Sequence, residues 1–571
     1  LRRRLREALT VKRATLLGTA AAALTILSPA LFAADLVTPA QKEAASRITA
    51  EGIRADIRFL SSDLLEGRGP ATRGDALAEA YLQARLEGMG LEPGAPGGGW
   101  VQKVPLVGIK PTFSGPAKFA SGRGTANGIL GEDFVAAAGD QQPESRIENA
   151  EIVFVGYGIV APEYRWDDYK GADLRGKILL VMNNDPDGTP EEPNLFAGKT
   201  RLWYGRWDYK YMMAAKVGAA GAIVIHTTPS AGYGWQVIQT SWNGELFELP
   251  EDGSPRVKMK MWATDALART IAELGGKDLD ALRKSAESRS FRPVPLGVSF
   301  SLAFKNAVTK KESGNVIGVR RGSDPARSGE AVIYTAHHDH LGTKVGAKPG
   351  ADAIYNGALD NASGVAGVLA VARAAAALPQ APARSMYFAF VAGEEQGLLG
   401  SEWLAAHPPV PAGRIAANIN FDGIGFYGKT RDVGMIGLGK SSLDADFNAL
   451  AAMQGRTTHG DEFPEKGAFY RSDQFNFARI GVPAAYVKKG TDVVGRPAGY
   501  GKAQEEAYER NDYHQPSDEF KESWDFSGAI DDMRLAFWLG CRVADAAELP
   551  RWNKGDEFEA ARLKALADAP R

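Results

Sequence analysis

The sequence predicts an α/β fold, a mixed sheet flanked by helices, with a second and β-rich module inserted within it. Three observations lead there. From residue 306 to about 547, apolar runs suited to buried strands (AVIYTA, SMYFAFVA, IAANINF, PAAYV) alternate with helical patterns (GVAGVLAVARAAAAL, GLLGSEWLAA). Alternation of this kind places helices on the faces of a sheet. From 129 to 305 the character changes to short strand-like runs among polar loops, EIVFVGYGIV, KILLVM and AGAIVIH. Finally, 571 residues exceed what one hydrophobic core fills, so more than one folded unit is expected.

Taken in order, residues 1–34 read as a signal peptide. Arg2, Arg3, Arg4, Lys12 and Arg13 precede the apolar run ATLLGTAAAALTILSPALFA, which ends in small residues. Residues 35–128 form the N-terminal part of the main domain. Within them IRADIRFLSSDLL and DALAEAYLQARLEGMGL carry helical spacing before the loop EPGAPGGGW. Residues 129–305 are the insertion, where YKYMMAAKVGAAGAIVIHTT reads as helix, glycine turn and buried strand. Residues 306–547 form the main part of the α/β domain, and 548–571 a charged tail. No later apolar stretch is long enough to span a bilayer. Cys541 is the sole cysteine, so no intrachain disulfide and no cysteine-based metal site is available. An exported chain without disulfides reads as bacterial, periplasmic or secreted.

Lys+Arg is 67 and Asp+Glu is 69, a formal net charge of −2 that gives no support to a nucleic-acid binder. Of seven histidines, three cluster at His337, His338 and His340. Ligands of open α/β sheets gather outside the C-terminal strand ends. AVIYTA runs into His337, SMYFAFVA into Glu394-Glu395 and IAANINF into Asp422; ALDNASG sets Asp360 before a helix, and YHQPSDE supplies Tyr513, His514 and Asp518. One such residue is usually a cap or a surface group. Burying several acids together is costly without cations to pair them. Asp339 and Asp518 are spaced to hold the second nitrogen of His337 and His514, respectively. His338 points to the opposite face, and His340 reads as packing or rim. YRSDQF (470–475) reads equally well as pocket edge or polar loop. The aromatics from Trp203 to Trp242 read as insertion core, and Cys541 as a small buried hydrophobe.

The ordered motifs AHHDH, NGALDNASG, VAGEEQGLLGS, NFDGIG and YHQPSDE resemble the di-zinc aminopeptidases of peptidase family M28 over 306–547. LEGRGPATRGDALAEAYL is similar to that family's opening helices, and 129–305 resembles the protease-associated domain inserted in some members. The resemblance implies a zinc-exopeptidase fold and a centre of two zinc ions. His337, Asp360, Glu395, Asp422 and His514 would be the ligands, with Asp360 shared. Glu394 would be the general base, and Tyr513 would steady the developing oxyanion. Three carboxylates leave about +1 of the +4 of two zinc ions, and N and O ligands suit a catalytic zinc pair. The substrates implied are peptides, cut at the N-terminus. A carboxypeptidase or dipeptidase on the same scaffold, a single-zinc glutaminyl cyclase and a catalytically silent binding homologue stay open.

Overall fold

The computed structural model describes residues 36–569, so the segment read as a signal peptide, residues 1–34, lies outside the described residues. At the centre of the main sheet, strands Ser385–Val391, Ala331–His337, Ile415–Asn420 and Ala484–Lys489 run parallel as neighbours. Antiparallel partners flank them: the end of Val294–Arg320 on one side and Asp432–Ile436 on the other. The sheet is therefore mixed. Every residue of Ala331–His337 and Ser385–Val391 is buried, which is why these segments read as continuous apolar runs instead of alternating ones.

Side-chain alternation along Ala331–His337 shows what covers each face. Tyr334 donates its hydroxyl to the carbonyl of Ala536 in helix Ser527–Asp545. Its neighbour Ile333 packs the other way, with Leu404 and Phe477 from helices Leu399–Ala406 and Gln474–Arg479. Helix Gly364–Ala376 joins Ser527–Asp545 over the first face, and Ala50–Leu60 stacks on it. Helix Ala50–Leu60 is amphipathic, burying Ile53, Ile57 and Leu60, and Thr49 caps it by accepting from Gly52. Among the described residues no helix is long and apolar enough to cross a membrane. Cys541 is fully buried.

Residues 129–305, expected as a β-rich insertion and called the module below, carry helices as well as strands. Helix Trp207–Lys216, a turn at Gly218 with positive φ, and strand Gly221–His226 follow one another as the sequence pattern requires. That strand runs parallel to Ile178–Met182 and Met259–Thr264. The module does not begin and end where the composition changes. The boundary expected at 305/306 falls inside an uninterrupted 27-residue strand, Val294–Arg320, which pairs with Val101–Phe113 straight across it. Ala117–Ser121, expected on the main-domain side of 128/129, pairs with Ser299–Ser301 and buries Ala117 and Phe119 in the module's core. The strand's burial pattern explains the difference. Its first half alternates, Thr309–Glu312 is mostly exposed, and the last turn of residues is buried on both faces. The exposed stretch imitates a linker.

Candidate metal centre

Three neighbouring parallel strands bring their C-terminal ends to one edge, with Val391 in register with His337 and Asn420 with Thr335. His337 closes the first strand, Glu394 and Glu395 follow the second, and Asp422 follows the third. Asp360 lies in the turn that opens helix Gly364–Ala376, entered through Gly357 at φ 54. His514 comes from the segment after helix Tyr500–Asn511 and has φ 56, the left-handed region that ordinary side chains avoid.

These five ligand candidates converge as two groups that share one carboxylate. His337 Nε2 is 3.3 Å from Asp360 Oδ1 and 3.5 Å from Asp422 Oδ1. His514 Nε2 is 3.3 Å from Asp360 Oδ2 and 3.0 Å from Glu395 Oε2. Both Nε2 atoms are buried and make no properly aligned hydrogen bond, despite these short separations. Imidazole and carboxylate atoms that close in without hydrogen-bond alignment fit donors arranged around cations. Glu394 stands apart from both groups, its Oε2 4.0 Å from His337 Nε2.

The charges set one another. Burial alone would lower the His337 imidazole, but Glu394, Asp360 and Asp422 raise it well above its ordinary value. His514, equally buried, is pushed up to about 10 by Glu395 and Asp360. Burial opposes ionisation of Glu395, yet His514 and His340 bring it down to about 2. Burial raises Glu394 well above the carboxylate range, and Glu395, Asp422 and Asp473 add to that. Burial and these neighbouring acids thus favour the protonated form of Glu394.

Supporting contacts differ from the spacing-based expectations in three places. Asp339 was expected to hold His337 through its carboxylate, which lies 3.7 Å from Nδ1. The nearer acceptor is the Asp339 backbone carbonyl, at 3.3 Å. The carboxylate instead accepts the backbone N–H groups of Glu394 at 3.1 Å and Glu395 at 3.4 Å, fixing the turn that carries both acids. Asp518 does not reach His514 Nδ1. It accepts the N–H groups of Leu359 and Asp360 and the Tyr508 hydroxyl, and so anchors the Asp360 turn. His340 is not rim packing: its Nδ1 donates to Glu395 Oε1 at 2.6 Å. His338 does face away, donating to Asp75 at 3.0 Å.

Tyr513 lies beside the acids, its ring 4.0 Å from that of His514 and its hydroxyl 3.5 Å from Arg471 Nη2. The segment 470–475 belongs to the site, since Ser472 Oγ donates to Asp422 Oδ2 at 2.8 Å. Two cavities, of about 150 and 180 Å³, meet at Glu394, Tyr513 and Arg471. Trp207, Tyr233 and Trp242 of the module form part of the first cavity's wall, whereas Tyr209 and Tyr211 pack in its core. Sequence reasoning missed Arg68, whose buried guanidinium donates to the carbonyls of Leu60, His338, Asn356 and Gly357. That ties the opening helices to the loops holding His337 and Asp360. The only signal was its place in LEGRGP.

The model of peptidase family M28 matches residues 315–538. A vacuolar membrane protease of Yarrowia lipolytica is 32% identical over 122 residues, 21% of this chain. The aligned segment is 11% of that protein's length, so the chain matches only about a tenth of it. Among solved structures, an aminopeptidase from Aneurinibacillus sp. strain AM-1 is 20% identical, covers 89% of this chain and 97% of its own, and has a TM-score of 0.50. A zinc aminopeptidase from Bacillus subtilis is 17% identical, covers 90% and 97%, and has a TM-score of 0.44. The family model spans all five ligand candidates, Glu394 and Tyr513, so the part of the chain that carries the site is similar to peptidase family M28.

Proposed function

We propose that the protein is an exported metallo-exopeptidase with two zinc ions that removes N-terminal residues from peptides. The observation that carries this reading is the pair of imidazole–carboxylate groups joined through Asp360, with Glu394 beside them. His337, Asp422 and Asp360 would hold one ion, and His514, Glu395 and Asp360 the other. Zinc bound there supplies Lewis acidity toward a peptide carbonyl and acidifies water.

The remaining chemistry falls to the chain's own residues. Glu394 is held in place by the grip of Asp339 on its backbone N–H. Its raised proton affinity suits a group that takes a proton from water and returns it to the leaving amine. Tyr513, whose hydroxyl Arg471 approaches at 3.5 Å, donates to the oxyanion that forms at the attacked carbonyl. The cavity walled by Trp207 and Trp242 receives a substrate side chain and keeps water from it. Export rests on the basic and apolar pattern of residues 1–34.

The test compares aminoacyl-p-nitroanilides with N-blocked peptides, with and without chelator, for wild type and Glu394→Gln. Chelator-sensitive release from free-amine substrates is expected. The variant should keep its zinc and lose about 10²–10⁴ in kcat. Cleavage confined to N-blocked peptides would move the reading to a carboxypeptidase. Full activity in Glu394→Gln would refute the role of that residue.

A further inference from the structure

A metal-binding imidazole needs a partner for its second nitrogen, which fixes the tautomer and the ring plane. The two histidines here are served from different places. His337 Nδ1 faces the Asp339 carbonyl, two residues along its own chain. His514 Nδ1 meets Ser241 Oγ at 3.0 Å, across 273 positions of sequence. Ser241 is the last residue of helix Trp235–Ser241 and belongs to the inserted module. Asp518, the nearby acid on the His514 segment, is occupied by the Asp360 turn.

The hydroxyl is firmly placed. Val237 and Ile238 of its helix are buried. Trp235 Nε1 and Gln239 Nε2 both donate to the carbonyl of Gly131, at 3.0 and 2.7 Å. Next in the chain, Trp242 packs edge-on to Trp207, with ring centroids 6.0 Å apart. A few residues on, the Phe247 N–H donates to Gln396 Oε1 at 3.1 Å, beside Glu395. His514 itself has a left-handed backbone, so its ring orientation is not one the local chain selects unaided.

We infer that Ser241 is a positioning residue that the inserted module contributes to the centre. It accepts the Nδ1–H of His514 and so presents Nε2 toward Asp360 and Glu395. The inference rests on the two-metal reading above. It implies that the two halves of the centre are unequal. The half containing His514 depends on the module, whereas the half containing His337 is supported within the peptidase domain. A hydroxyl partner also adds no negative charge to the ring, so His514 is a less basic ligand than a carboxylate-partnered histidine would be.

The test is zinc titration into full-length apoprotein in competition with a chromophoric chelator, with kcat, KM and thermal unfolding measured in parallel. Wild type, Ser241→Ala and Ser241→Thr are compared. Ser241→Ala should weaken one of two zinc affinities by about 10–100-fold and leave the other unchanged. Its kcat should fall at subsaturating zinc and recover at excess zinc. Ser241→Thr, which keeps the oxygen, should restore both. Two ions bound by wild type with unchanged affinities in Ser241→Ala would overturn the inference alone. So would an equal loss at both sites, or a Thr variant as impaired as Ala. Wild type that takes up fewer than two ions would overturn the two-metal reading and the inference with it.

Discussion

Asp360 is the one carboxylate that touches both imidazoles, so replacing it with asparagine tests the shared-ligand geometry most directly. The substitution keeps shape and removes one charge. Each Asp360 oxygen lies 3.3 Å from an imidazole nitrogen. At an effective dielectric of about 20, a unit charge at that distance is worth about 5 kcal/mol. Taking that as the loss against each centre, affinity falls by about 10³–10⁴-fold at both. Of the two imidazoles, Asp422 pairs with that of His337, at 3.5 Å. Asp422→Asn should therefore cost a similar factor at one centre only. Metal content after dialysis against a graded chelator series reads this out: two ions for wild type, about one for Asp422→Asn and none for Asp360→Asn at the same free zinc. An Asp360→Asn protein that holds two ions as tightly as wild type, or an Asp422→Asn protein that loses both, would refute the shared carboxylate.

Metal removal should also change how stability depends on pH. His514 is pushed up to about 10 from an unfolded value near 6.5, so its contribution is fully present below about 6.5 and lost as pH climbs through 10. Chelated protein should lose up to a few kcal/mol of stability between pH 6 and 9 relative to zinc-loaded protein. Thermal unfolding of both forms at the two pH values checks this, and parallel pH profiles would contradict it. Arg68→Met should destabilise by about 3 kcal/mol or more, since it strands the buried carbonyls of Leu60, His338 and Asn356 at about 1–3 kcal/mol each, while that of Gly357 keeps the Ala362 N–H. Urea denaturation measures that loss, and a change within 1 kcal/mol would show that the carbonyls find other donors.

What the sequence disclosed follows from how each residue is held. Ala331–His337, Ser385–Val391 and Ile415–Asn420 are buried throughout, so their hydrophobicity is continuous and their ends are sharp. His337 could be found because it ends such a strand, and Asp422, Glu394 and Glu395 because they follow one by two, three and four residues. His340 could not. Its approach to Glu395 depends on a loop tied by its own N–H to the carbonyl of Arg68, a contact between segments far apart in sequence. Asp518 was misassigned for a similar reason: spacing located it near His514, but two backbone N–H groups of the Asp360 turn compete for the same carboxylate and win. The extent of the insertion was obscured by Thr309–Glu312, whose polarity marks a solvent-facing stretch of strand instead of a break.

That strand bears on how the inserted module can act on the chemistry. A module joined by loops would move independently and could hold no ligand to a fraction of an ångström. Here the two connections, Val101–Phe113 and Val294–Arg320, pair with each other continuously from Phe113↔Phe304 to Val101↔Val316. At its far end the same strand enters the main sheet beside Ser385–Val391, the strand that leads to Glu394. The segment just after Ser241 is stitched to this ribbon as well, with Leu246 in register with Ile109 and Glu248 with Val107. Ribbon, cavity wall and the hydroxyl facing His514 therefore form one hydrogen-bonded structure rooted in the strand next to the general base candidate. Flexing the module would break ladder hydrogen bonds in series, so its cavity face is held as a fixed wall and not as a hinged lid.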